Sequence, residues 1–280
     1  MRMVAVVLGG GTGQRLGAAQ PKQLLELSGK SLLEHCVAAF CAAPGIDEVL
    51  VVMAAGYVDQ VKAMLASYEL VTAVLPGGAA RSDSTRAALA ALGSAAECGV
   101  LFHDAARPLV DQRIIASCVS ALLDGHGAVG TAVPSSDTIV VVSDRVMTEI
   151  PPRERLWRCQ TPQAFRLSVI RRAHELAAAD PDYTPTDDCG VVLRYLPDVP
   201  VHIVEGSERN IKVTYPGDLA VAEALFHHRL AACLTRVRPK PQIRPLPLLA
   251  SSRTSPKDSV KFFTSLSEII NGGISLITSM

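Results

Sequence analysis

The chain has 280 residues, 49% hydrophobic and 19% charged, an ordinary globular composition long enough for one large α/β domain or two small ones. Lys+Arg 27 balance Asp+Glu 27, so no global field draws it to nucleic acid or to an anionic membrane, and any anion site must be local. No apolar run approaches the roughly 18 residues that span a bilayer, the stretch before the first glycines is too short for a signal peptide, and a cytoplasmic protein is expected.

Residues 4–8, Val-Ala-Val-Val-Leu, read as a buried parallel strand. The chain then turns through Gly9, Gly10, Gly11 and Gly13, with Arg15 and Lys22 close behind. Glycine lets backbone N–H groups approach a ligand because no Cβ stands in the way; with two cations added, the stretch reads as a polyphosphate cradle, and without a ligand as a plain glycine turn. Two familiar phosphate motifs fail. The G-x-G-x-x-G fingerprint lacks its last glycine, where Gln14 or Leu16 stands, and the Walker pattern lacks the glycine that Leu24 replaces ahead of Gly29-Lys30-Ser31. Ser31 and Glu34 instead suit a capping box for a helix over 31–41.

A strand over 49–53, a helix over 57–66 and a strand over 71–75 follow. Next come the loop with Gly77-Gly78, a helix over 82–96 and a strand over 100–103 leading into Asp104-Ala105-Ala106-Arg107-Pro108, then a helix over 112–123. Such alternation predicts an α/β fold of Rossmann-like type, a mostly parallel sheet with helices on both faces. Ligands in such sheets lie beyond the carboxyl ends of the strands, where both glycine loops and Asp104 fall. Asp104 suits Mg²⁺, a hard cation that prefers oxygen ligands; a helix cap or a partner for Arg107 are its structural alternatives.

From 128 to 158 the pattern becomes β-rich. Runs at 129–133, 138–142 and 146–150 read as a hairpin arm rather than a further βαβ unit. An arm cannot bury both its faces alone, which makes a second copy of the chain its natural partner. Arg153 on the arm reads equally as a solvated charge. A helix over 167–178 precedes Thr184-Pro185-Thr186-Asp187-Asp188, in which Thr186 or Asp187 caps a helix running to 195 and one acid is left over. After a strand over 201–204, Lys212 sits at a strand end, either at the phosphate site or merely exposed. Pro216 opens the last domain helix, through 227. Residues 1–236 are thus expected to form the domain, with the arm at about 134–158; 237–280 read as a Pro/Ser-rich linker and tail. The seven cysteines form no C-x-x-C pair and sit mostly in apolar patterns, as reduced core residues.

Taken together, the glycine loop with Pro21-Lys22-Gln23, Gly77-Gly78 through Ser84, His103-Asp104-Ala105-Ala106-Arg107-Pro108, Asp137-Thr138, Arg153 through Gln160-Thr161-Pro162-Gln163, Thr186-Asp187-Asp188 and Asn210-Ile211-Lys212-Val213-Thr214 resemble the sugar-alcohol-phosphate cytidylyltransferases. The family includes the 2-C-methyl-D-erythritol 4-phosphate and ribitol 5-phosphate enzymes, and the resemblance covers roughly residues 3–228. It implies a homodimer joined through the β-arm and transfer of CMP from CTP to a polyol phosphate, releasing pyrophosphate. Gly9, Gly10, Gly11, Gly13, Gly78, Ser84 and Ala105 would then bind the nucleotide. Arg15, Lys22 and Lys212 would surround the triphosphate, Asp104 would lie by Mg²⁺, and Arg107, Thr138, Arg153 and Thr161 would hold the acceptor. Leu8-Gly9-Gly10-Gly11 leans toward the ribitol branch, as does Glu149-Ile150-Pro151 through Gln163, whereas His103 through Arg107 leans toward the methylerythritol branch; the balance falls slightly to ribitol 5-phosphate. An NAD-dependent oxidoreductase would need the missing glycine and an acid where Met53-Ala54-Ala55 stands. A non-catalytic nucleotide-binding protein would have no need of Arg15, Lys22, Asp104 and Lys212 together.

Overall fold

Alternate residues of the first strand feed two different cores, which is why that strand is apolar throughout. In the computed structural model, which describes residues 1–10, 20–78, 80–93, 95–183 and 185–237, β1 (Met3–Gly9) is buried along its whole length. Met3, Ala5 and Val7 pack with Leu33, Val37 and Phe40 on one face of the sheet, while Val4, Val6 and Leu8 pack with Ala88, Leu89 and Ile170 on the other. Residues Met1–Leu234 form one compact unit; 238–280, where the linker and tail were expected, lie outside the described residues.

The elements follow in order. A short hairpin of β2 (Glu26–Leu27) and β3 (Lys30–Ser31) leads into α1 (Leu32–Cys41), which opens on the expected capping box, Ser31 with Glu34. Then come β4 (Glu48–Met53), α2 (Val58–Met64), β5 (Val71–Pro76), α3 (Arg81–Ala91), β6 (Gly99–Asp104), α4 (Gln112–Leu123) and β7 (Ala128–Pro134). Helix α3 stops short of the expected 96, and Gly93 just beyond it takes a positive φ of 49°. The hairpin β8 (Val141–Ser143) and β9 (Val146–Glu149) is followed by β10 (Trp157–Arg166), α5 (Leu167–Ala178), α6 (Asp188–Tyr195), β11 (Val201–Glu205) and α7 (Pro216–Val237).

Seven strands make one sheet in the order β11-β7-β10-β6-β1-β4-β5. All run parallel except β10, which is antiparallel to both of its neighbours. The expected sheet with helices on both faces is present. Two expectations about 128–166 change. Residues 129–133 are not part of an arm: as β7 they lie inside the sheet between β10 and β11, buried from Ala128 to Val133. The return segment is a ten-residue strand, and Pro162, which cannot donate to a ladder, is accommodated where the β7–β10 register shifts between Gln160 and Ala164.

The arm itself is β8–β9, exposed at every residue. Ser143 pairs with Val146, which leaves a two-residue turn whose Asp144 and Arg145 both take positive φ, 50° and 65°, as a type I′ hairpin requires. Ile139, Val141, Val142, Val146, Met147 and Ile150 stand exposed on or beside it.

Candidate active site

The carboxyl ends of β1, β5 and β6 meet where two glycine loops touch with almost no side chain between them. A Cβ on Gly10 would lie 2.3 Å from Ser84 Oγ, and one on Gly77 would lie 2.7 Å from the same oxygen and 3.1 Å from Gly10 Cα. Gly9 is similarly closed, with Met53 Sδ 3.0 Å from the Cβ position. Ser84, buried in the first turns of α3, is thus the post around which both loops fold. Asp83 closes the helix end by accepting the Ala80 N–H at 2.9 Å. Gly78 is held against that cap: an added Cβ would sit 2.3 Å from Asp83 Cβ and 2.7 Å from its carboxylate. Gly78→Ala is therefore expected to destabilise the fold by about 1–3 kcal/mol, as read by thermal melts. An unchanged melting temperature would show that the loop has room this geometry denies it.

Beside the loops lies a chain of five ionisable groups. Asp104, at the end of β6, accepts Lys212 Nζ at 2.7 Å on Oδ2 and Arg81 Nε at 3.2 Å on Oδ1. Arg81 Nη1 donates to Asp188 Oδ2 at 2.6 Å, and His174 Nε2 contacts Asp188 Oδ1 at 3.0 Å. Burial pushes the Asp104 carboxyl up, but Arg81 and Lys212 overcome it and hold the group well below the usual carboxylate range. Asp188 is shifted the same way: burial raises it, while Arg81 and His174 bring it down further. Both acids are carboxylates at neutral pH.

Lys212 reaches this point because its segment is tied down at several places. Val213 N donates to Ala106 O. Arg107 Nη1 donates to Asn210 O at 2.7 Å and Nη2 to Cys159 O at 3.3 Å. Asn210 Nδ2 donates to Thr161 O at 2.9 Å, and Lys22 Nζ donates to Val213 O at 2.9 Å. Two lysines separated by 190 residues of chain therefore meet on one short segment.

Behind it, His103 has its tautomer dictated by its neighbours. Nε2 lies 3.1 Å from the Arg107 carbonyl and Nδ1 3.0 Å from Thr161 Oγ1. A carbonyl only accepts, so Nε2 carries the proton and Nδ1 accepts from Thr161. Thr161 Oγ1 in turn accepts the Asp104 N–H at 3.1 Å. Burial lowers the His103 pKa to about 4, so the ring is neutral near pH 7 and serves as a spacer that fixes the β6–β10 junction.

The structure brings together Gly9, Gly10, Gly78, Ser84, Lys22, Lys212 and Asp104 at the carboxyl ends of the strands. Gly11, Gly13 and Arg15 lie outside the described residues. Three other expected residues are engaged within the protein: Arg107 clasps two carbonyls, the Thr161 hydroxyl bonds to His103 and Asp104, and Ala105 gives its N–H to Leu8 O. Thr138 and Arg153 sit apart on the arm, bonded to each other at 2.7 Å and exposed. The sequence reading had given no role to Arg81, Asp188, His174 or Gln163. Gln163 Oε1 accepts the N–H groups of Asp188 and Cys189, and its Nε2 donates to Asp187 Oδ2. Asp187 caps α6, as expected, and Asp188 is the acid left over. The available signals were Arg81 following the second glycine loop, and the doubled Asp.

Among the described residues no three His, Cys, Asp or Glu side chains group as a metal site, so no all-protein cage is present. Asp104 could still offer one carboxylate to Mg²⁺, a hard cation that commonly takes one or two carboxylates and completes its shell with water and other oxygen ligands.

Comparison with known proteins agrees with this geometry. The family described as 2-C-methyl-D-erythritol 4-phosphate cytidylyltransferase matches residues 3–228. The chain is 54% identical over 238 residues to the enzyme of that name from Thermobifida fusca, covering 82% of this chain and 95% of that one. It is 38% identical over 231 residues to the bifunctional ribulose 5-phosphate reductase/CDP-ribitol pyrophosphorylase of Haemophilus influenzae, covering 81% of this chain and 48% of that one. Among solved structures, 4-diphosphocytidyl-2C-methyl-D-erythritol synthase from Anaerococcus prevotii superposes with a TM-score of 0.72 at 29% identity, covering 81% and 98% of the two chains. The 2-C-methyl-D-erythritol 4-phosphate cytidylyltransferase of Thermus thermophilus does so with 0.63 at 32%, covering 79% and 98%.

Proposed function

This chain belongs to the 2-C-methyl-D-erythritol 4-phosphate cytidylyltransferase family, and from that premise we propose that its acceptor is 2-C-methyl-D-erythritol 4-phosphate. It is a CTP-dependent enzyme that transfers CMP to a sugar-alcohol phosphate. Lys22 bonded to the short segment that carries Lys212, with Lys212 on Asp104, supports this reading most directly. The identity to the methylerythritol enzyme, 54% against 38% to the ribitol relative, outweighs the glycine-rich start that had favoured ribitol 5-phosphate.

In the reaction an oxygen of the acceptor's phosphate bonds to the α-phosphorus of CTP, and the bond to the bridging oxygen breaks so that pyrophosphate leaves. Little covalent help is needed. Two anions must approach, and charge must be stabilised as the in-line transition state forms. Lys22 and Lys212 supply fixed positive charge for that purpose, with Arg15 as a third cation from the glycine loop. The bare loops around Ser84 leave backbone groups free to hold the nucleoside. Asp104 orients Lys212 and offers a carboxylate to Mg²⁺, which when bound neutralises phosphate charge. Thr138 and Arg153 hold the acceptor from the arm, and the arm's exposed apolar residues (Val141, Val142, Val146, Met147) pair with a second copy to make a homodimer. No described helix is long and apolar enough to cross a membrane, and the enzyme works in the cytoplasm.

Incubation with CTP and Mg²⁺, with either 2-C-methyl-D-erythritol 4-phosphate or ribitol 5-phosphate, tests the reading through pyrophosphate release. Faster turnover with the methylerythritol substrate is expected. Preference for ribitol 5-phosphate would transfer the assignment to that branch, and CTP binding without turnover on either would leave a nucleotide-binding protein.

A further inference from the structure

The relay from His174 to Lys212 contains more than the proposed chemistry uses. Among the described residues Arg81 is the cation that bridges two buried acids: Nε holds Asp104 Oδ1, Nη1 holds Asp188 Oδ2, and Nη2 is buried with no hydrogen-bond partner among them. Asp188 is 1% exposed and its two oxygens are divided between Arg81 and His174. Its backbone N–H is also fixed, by Gln163 Oε1 at 3.1 Å. His174 is itself buried and has only one outlet. Asp188 can only accept, so Nε2 carries the proton, and Nδ1 has no partner among the described residues. The helix α6 cap, meanwhile, is supplied by Asp187, whose side chain accepts the Gly190 N–H. Asp188 is therefore not needed to start the helix it opens.

We propose that Asp188, seated by His174 and Gln163, is a positioning residue that acts on Asp104 through Arg81. The inference rests on the cytidylyltransferase reading above. Arg81 approaches Asp104 through Nε because Asp188 draws its other edge the opposite way. That leaves Asp104 Oδ2 facing Lys212. Without Asp188, the freed guanidinium swings onto Asp104 as a two-pronged partner, the geometry that arginine and carboxylate favour. Asp104 then no longer presents Oδ2 to Lys212, and the lysine loses its orientation toward the phosphates. The residue touches no substrate; its effect is on the alignment of groups that do.

The test compares Asp188→Asn, Arg81→Met and the double variant, measuring kcat, KM for CTP and thermal stability in the full-length enzyme. Asp188→Asn is expected to lower kcat about 10- to 100-fold, the usual range for a residue that orients a site from behind, with KM for CTP within about threefold of wild type. Because Asp188 acts through Arg81, the double variant is expected to be no slower than Arg81→Met alone. Effects that multiply in the double variant, or a near-normal kcat in Asp188→Asn, would overturn the proposal and leave Asp188 as packing. If Asp188→Asn does not fold, Arg81→Lys carries the test. Its single ammonium keeps a charge beside Asp104 but lacks the fork that bonds both acids, so wild-type kcat there overturns the proposal and a 10-fold or larger loss supports it. The wild-type enzyme is assayed in parallel with both polyol phosphates, and the variants are measured with whichever one turns over. A wrong acceptor thus shows in the wild type, a wrong relay only in the variants.

Discussion

Lys212→Ala is expected to lower kcat by about 10²–10³-fold, the usual consequence of removing one preorganised group that stabilises transition-state charge, while the folded state hardly changes. The two expectations come from different surroundings of the same ammonium. Its side chain is 41% exposed, so the resting ion pair with Asp104 is screened by solvent and contributes little to stability. On the proposed reading, charge develops between the α-phosphorus and the leaving pyrophosphate while the same ammonium lies in a site that substrate fills and water leaves, where each interaction is stronger. Every 1.4 kcal/mol withdrawn from the transition state costs about tenfold in rate, so the predicted loss corresponds to about 3–4 kcal/mol. Pyrophosphate release under saturating CTP, beside a thermal melt, separates the two effects. Lys22→Ala is expected to act in the same direction with an added rise in KM, since Lys22 also anchors the Val213 carbonyl. A Lys212→Ala enzyme with near-normal kcat would remove the charge-stabilising role from this residue.

How much of this was legible in the chain depended on whether a residue's role was local. The strand–loop–strand frame from residue 1 to 123 could be read because periodicity, caps and glycines are written in neighbouring positions. Ser31 with Glu34 forms the capping box expected of it, and α4 spans the expected 112–123. The β-rich middle could not be read so well. Val129–Val133 looks the same in sequence whether it lies in an arm or inside a sheet, and only pairing with β10 and β11, far along the chain, decides it. The return segment received no strand assignment from the sequence, yet it is β10, which carries Pro162 at the register shift. In the site, Lys22 stood out as a cation behind the glycine loop, Asp104 as a charge at a strand end, and Lys212 as a charge at an expected strand end, although residues 210–214 form no strand and are held by hydrogen bonds instead. Arg81, Asp188 and His174 did not stand out, because their significance lies in contacts across 107 and 14 positions of sequence. Arg107 and Thr161, which look ready for a ligand in the sequence, also hold the protein together: Arg107 donates to the Asn210 and Cys159 carbonyls, and the Thr161 hydroxyl bonds His103 and the Asp104 N–H. Spacing identifies the type of chemistry available, but the partner that claims a polar group is a property of the folded chain.

Asp104→Asn is expected to damage both activity and stability, and the way the stability deficit varies with pH would distinguish electrostatics from packing. The amide keeps the size of the carboxyl but removes the charge lying between Arg81 and Lys212. Two cations then face a neutral group. Arg81 keeps Asp188 as a partner and Lys212 can turn toward water, so the deficit at neutral pH is expected to be about 1–3 kcal/mol, the range for hydrogen bonds to charged groups, rather than the larger cost of a fully stranded ion. The Asp104 pKa is depressed in the folded protein. Its contribution is therefore fully present above the unfolded-state value near 3.9 and is lost as pH falls from there toward the native value, because in that window the unfolded chain takes up a proton that the native one refuses. The difference in unfolding free energy between wild type and Asp104→Asn should accordingly be constant from pH 7 to about 5 and shrink below about 4. On the rate, the loss is expected to exceed that of Lys212→Ala, since the substitution both disorients Lys212 and withdraws the carboxylate available to Mg²⁺. A deficit of the same size at pH 3 and pH 7 would mean that shape, not charge, is what Asp104 contributes to the fold. A kcat above that of Lys212→Ala would show that the lysine reaches the phosphates without its guide.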